Sequence, residues 1–246
     1  MGTDWFTNHY LSLEGFTVSD FRKVVNICEV VLGEEHRSYK YKNKHSQSLA
    51  ERDLGNLENS TSAIFEENYG RLQIESELFN VNLLLNPGVP SIPEVPTISI
   101  HVNTAAFGKS GSKTTISAGQ NLETLLEIIS EVGNYLTPSF SFGLAEAGNE
   151  EDPYISKEEI EKGQLPRVFW STIFSERFIE RLGRDTILSS PAWRVEELSN
   201  GQIMIIATDH MTRPSDEWWE HPTDPWGNRF RAIEEHLGLK EPRRSD

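Results

Sequence analysis

The strongest constraint in this sequence is a tandem of two periodicities between residues 97 and 144. Ile98, Ile100 and Val102 alternate with polar residues, as a half-buried strand requires. The spacing then becomes helical from Asn121 to Leu136. Leu122, Leu125, Leu126, Ile129 and Leu136 share one face, and Asn121 is the expected N-cap. Pro138 stops the helix, and Phe140, Phe142 and Leu144 alternate again. The block therefore predicts a β-α-β unit.

A second unit of the same order follows. Residues 167–173 predict a strand, Ser175 caps a short helix through Phe178, Ile179 and Leu182, and Gly183 closes it. Trp193, Val195 and Leu198 mark a further strand. Asn200-Gly201 predicts a two-residue type I′ hairpin turn, whose central residues both need positive φ. The returning strand, Ile203 to Ala207, is apolar enough to be buried on both faces. This order predicts an α+β fold: a ferredoxin-like split β-α-β sheet with helices on one face.

Residues 97–246 are expected to form that domain, with residues 1–96 as an N-terminal helix and strand extension packed on it in one compact unit. Pro87, Pro90, Pro93 and Pro96 form the connector. Within the extension, Phe21, Val24, Val25, Cys28, Val31 and Leu32 place a helix over 19–32, with Ser19 as N-cap and Gly33 beyond its end. Residues 34–62 predict a polar loop carrying the basic run Arg37, Lys40, Lys42 and Lys44. Residues 71–85 alternate but switch parity near Leu78-Phe79, which predicts a bulge or bend. A last helix is expected over 228–237, with Phe230, Ile233 and Leu237 inward.

Charge narrows function. The chain of 246 residues carries a formal charge of −15, from 29 Glu and 9 Asp against 14 Arg and 9 Lys. Nucleic acid and anionic membrane both need a positive field, so both are excluded as partners. Three readings of the acidity remain: plain solubility, adaptation to high salt, or a face matched to a basic protein partner. Its densest stretches are 146–161 and 209–224.

Cys28, the single cysteine, lies on the inward helix face, where it reads as a small buried hydrophobe. Met1 to Tyr10 holds no basic residue and no apolar signal-type core, and the longest apolar runs are far too short to span a bilayer. A cytoplasmic protein is expected.

Chemical motifs are scarce. Gly108-Lys109-Ser110 follows a strand, but Asn103 stands where a phosphate-binding loop needs its first glycine, and no helix opens at Ser110. Asp209, His210, Asp216, Glu217, Glu220, His221 and Asp224 could ligate a divalent metal, although the two histidines do not stand at helical spacing. There is no Gly-x-Ser-x-Gly, and His101 falls at an outward strand position. Neither a catalytic residue nor a cofactor is expected. Trp218, Trp219 and Trp226 fall within nine residues of one acidic loop. Together with Asp216, Glu217, Glu220 and Asp224 they are the expected anchors for a partner.

Thr97-Ile98-Ser99-Ile100 with its helix, Arg167-Val168-Phe169-Trp170 leading into Phe178 through Arg184, and Ser190 through Leu198 with its Asn200-Gly201 turn recur in a familiar order. Over 97–207 the chain resembles the immunity-type α+β proteins found beside bacterial polymorphic toxins. That resemblance implies a cytosolic, non-enzymatic protein that binds and neutralises a cognate toxin. The alternatives are a salt-adapted protein of structural role and a metal-dependent hydrolase built on the 209–224 loop.

Overall fold

The computed structural model describes residues 4–10, 17–33, 38–43, 50–52, 70–86, 97–107, 116–146, 155–209 and 225–239. Its elements, in chain order, are β1 (Asp4–Tyr10), α1 (Val18–Leu32), β2 (Ser38–Asn43), β3 (Ala50–Arg52), β4 (Gly70–Glu75), β5 (Val81–Asn86), β6 (Thr97–Asn103), a 3-10 turn (Thr104–Phe107), α2 (Ile116–Leu136) and β7 (Phe140–Glu146). They continue with α3 (Lys157–Lys162), β8 (Ser171–Phe174), α4 (Glu176–Leu182), α5 (Arg184–Leu188), β9 (Arg194–Glu197), β10 (Ile203–Ile206) and α6 (Pro225–His236). The fold is α+β.

The strands form one sheet in the order β3-β2-β4-β5-β6-β1-β7-β8-β10-β9, and every neighbouring pair is antiparallel. Both strand–helix–strand units are split. β6 and β7 flank β1, and β8 and β9 flank β10. The strand inserted into the first split comes from the N-terminal extension, with His9 opposite Ile98 on one side and Ser141 on the other.

Helices occupy both faces of the sheet. A Cβ on Gly133 of α2 would stand 2.7 Å from Ile173 Cδ1, so α2 lies close over the face that carries Ile173 and Ser141. α1 packs beside it, where Tyr135 Oη donates to Asp20 Oδ1 at 2.5 Å. Phe140 and Phe142 alternate with Ser141 and project the other way. There α4 contributes Phe178, 5.0 Å from Phe140 between ring centroids, and Phe169 lies 4.4 Å from Phe142. Two apolar layers sandwich the β7–β8–β10 region, which explains why β8 and β10 are buried along their whole length.

Local chemistry corrects several boundaries. The cap of α1 is Thr17, not Ser19, because Thr17 and Asp20 form a reciprocal capping box. Asn121 lies inside α2, and its Nδ2 donates to Ala106 O at 2.8 Å and to Leu78 O at 3.4 Å. It pins the helix to the 3-10 turn and the β4–β5 connection. The parity switch at Leu78-Phe79 is a hairpin between β4 and β5, where the Ser76 hydroxyl donates to Phe79 O. Residues 34–62 include β2 and β3, so the basic run 37–44 falls largely on a strand. Residues 164–170 run as bends before β8, instead of extending it back to Arg167. Ser175 caps α4 without a side-chain bond to the helix, its hydroxyl donating to Ser139 O. The acidic stretch also contains α3, with a Ser156/Glu159 capping box and Gly163 closing it in the left-handed region.

The Asn200-Gly201 hairpin forms with a different turn. Gly201 has φ 82°, but Asn200 does not share the positive φ that type I′ requires. Leu198 N–H bonds Gln202 O at 2.8 Å and Gly201 N–H bonds Leu198 O at 2.9 Å, which makes a three-residue loop. Asn200 spends its amide elsewhere. Its Nδ2 donates to Gly133 O at 3.0 Å and Asn134 O at 3.2 Å, while Oδ1 accepts from Gln202 N–H at 3.0 Å. The turn is thereby fastened to the end of α2.

Candidate functional site

Sequence reasoning placed the partner anchors on Asp216, Glu217, Trp218, Trp219, Glu220 and Asp224, which lie outside the described residues, as do His210 and His221. Trp226 is in the first turn of α6. Asp209 is exposed after β10. Among the described residues, no group of three or more His, Cys, Asp or Glu could hold a metal ion, and no helix is long and apolar enough to cross a membrane.

Cys28 is fully buried and its thiol is pushed up to about 12, chiefly by burial, so it has no nucleophilic character at neutral pH. His101 was expected at the surface but is half-buried on β6. Burial, aided by the charge of Arg71, lowers it to about 4. Arg71 Nε donates to Asn82 Oδ1 at 2.9 Å on the same face. His9, deep in β1, is fully buried with both ring nitrogens unpartnered and is pushed down to about 3 by burial.

The described surface with the clearest binding chemistry surrounds β9. This strand is the last in the sheet and pairs only with β10 among the described strands, so its other side is an edge. The chain reaches it through α5 and the turn after it. There Leu188 is 37% exposed, Pro191 is exposed and Trp193 is 38% exposed. Trp193 was expected within the strand. It stands just before β9, held by its backbone N–H to Ala207 O at 3.3 Å, and leaves part of its indole in solvent.

Carboxylates line the α2 side of β9. On α2, Glu123, Glu127 and Glu131 repeat at every fourth position and are all exposed. Ser130 Oγ donates to Glu196 Oε1 at 3.2 Å, which brings the helix alongside the strand. Arg194 bridges Glu123 at 2.9 Å and Glu196 at 3.1 Å, and Arg184 bridges Glu197 at 2.9 Å. Three of these five carboxylates, Glu123, Glu196 and Glu197, thus meet two guanidinium groups. These exposed pairs are each worth only about 0–1 kcal/mol, so competing cations can exchange into them.

Strand alternation sorts the patch into two sides. Arg194 and Glu196 lie on the α2 side, while Val195, in step with Trp193, belongs to the opposite side. One side of the edge therefore carries Arg194 and Glu196 with the α2 carboxylates, and the other carries Trp193 and Val195 with Glu197 at the strand's end. Its signal in the sequence is the segment Ser190 through Leu198, but exposure there depends on which strand ends the sheet, and no local pattern encodes that.

No family model and no curated protein matches this chain. Among solved structures, it is similar to the Pseudomonas aeruginosa T6SS protein PA0821, with a TM-score of 0.58 at 10% sequence identity. The match covers 96% of this chain and 73% of that one, and it is a likeness of fold.

Proposed function

We propose that this chain is a non-enzymatic, immunity-type protein that binds and neutralises a basic protein partner in the cytoplasm. The observation that carries this reading is the β9 edge, where Glu196 and Arg194 meet Glu123 and Ser130 of α2 and the partly exposed Trp193 immediately precedes the strand. A partly exposed tryptophan beside a charged edge strand matches the composition of a binding hot spot. An acidic rim favours encounter with a cationic partner and disfavours an anionic one. The fold likeness to a T6SS protein supports the same context. Two carboxyl-rich faces of this chain would repel one another, which speaks for a different protein as partner.

The test is protection. A toxin encoded beside the gene for this chain is induced in a bacterial host, with and without co-expression of the chain. The expected result is restored growth with the natural sequence and at least tenfold weaker protection with Trp193→Ala. Continued growth arrest in the presence of soluble, folded natural protein would overturn the reading.

A further inference from the structure

We propose that the partner docks by strand addition: an extended segment alternating Lys or Arg with apolar residues pairs with the open side of β9. This inference rests on the immunity-type reading for its biological meaning and on the edge geometry for its chemistry.

Three features select this occupant. An edge strand offers a row of backbone donors and acceptors that another extended chain can satisfy. Side chains of an added strand would alternate between the two sides of the sheet, as those of β9 do. On one side they would meet Glu196 and Arg194 with Glu123, Glu127 and Glu131 of α2, a net-negative set, and on the other Trp193 and Val195 with Glu197 at the strand's end. A strand with cations on one side and apolar groups on the other matches both. Charge also decides against a second copy of the chain. Two β9 edges brought together would align two net-negative flanks, a common device against edge-to-edge association.

The probe is an acetylated, amidated octapeptide of alternating Lys and Val, titrated into the full chain at low ionic strength and followed by backbone amide NMR shifts. Two control peptides accompany it: the same peptide N-methylated at alternate residues, and one with Glu replacing Lys. The expected result is saturable shifts at Arg194 to Glu197 with the Lys-Val peptide and none with either control. The double variant E127Q/E131Q should weaken binding about fivefold, and its unchanged free spectrum would show that it folds. Equal binding by the N-methylated peptide would reduce the effect to charge adsorption and overturn strand addition. So would shifts centred elsewhere, no binding, or concentration-dependent dimerisation through β9. The growth assay separates the two claims. Failure to protect cells sinks the immunity reading alone, and a protein that protects but ignores the peptide sinks strand addition alone.

Discussion

Acidification should destabilise this fold through His9. The ring is fully buried in β1, neither nitrogen has a partner, and burial lowers its pKa from the ordinary 6.5 to about 3. The folded state therefore holds the neutral ring across this window, whereas the unfolded chain takes up a proton below pH 6.5. Stability is present in full above pH 6.5 and drains away as pH falls towards 3, at about 1.4 kcal/mol per pH unit. Between pH 7 and pH 5 the loss from this one group is about 2 kcal/mol. Urea unfolding of the natural chain and of His9→Leu at both pH values tests this. The variant should lose about 2 kcal/mol less on acidification. At pH 7 it should be at least as stable, since removing two orphaned nitrogens relieves roughly 1–3 kcal/mol of desolvation cost. An identical pH loss in both proteins would refute the argument.

Glu234 of α6 should act in the opposite sense. Burial raises it to about 7, although its Oε1 accepts Val168 N–H at 2.8 Å, so its cost is present above pH 7 and relieved as pH falls towards 4.5. Glu234→Gln keeps that acceptor and should stabilise the protein by roughly 2–3 kcal/mol at pH 8, with the gain vanishing near pH 4.5 in the same unfolding assay. Asn200→Ala removes the amide that ties the β9–β10 turn to Gly133 and Asn134, and should lower stability by about 1–3 kcal/mol in chemical denaturation. At Gly163, φ is 61° and an added Cβ would lie 2.9 Å from Arg177 O, so Gly163→Ala should cost about 1–3 kcal/mol, read as a lowered melting temperature.

Elements whose cause is local were legible in the sequence. The α2 repeat, the α1 stripe and the Phe140–Phe142 alternation each declare a buried face through their own spacing, and the structure buries them. Competition between neighbouring side chains was harder to read. Ser19 and Asn121 are both good capping residues, but Thr17 wins because Asp20 completes its box, and Asn121 finds better acceptors across the fold. Asn200 avoids positive φ because the end of α2 offers its side chain two carbonyls. Least legible was everything set by strand order. His9 is buried because β1 lies between β6 and β7, and Trp193 is partly exposed because β9 ends the sheet.

The placement of β1 also dictates an order of events during synthesis. Its partners are β6 and β7, both made long after it leaves the ribosome. β1 can pair with β6 once Thr97–Asn103 emerges, but its other flank stays unpaired until Phe140–Glu146 follows. Long-range pairing of this kind is slow, and exposed strand flanks invite mispairing with other chains. β1 is thus made before both of its partners and is paired on both flanks only once β7 is complete. The half-built sheet is a form whose open strand flank is exposed to mispairing with other chains.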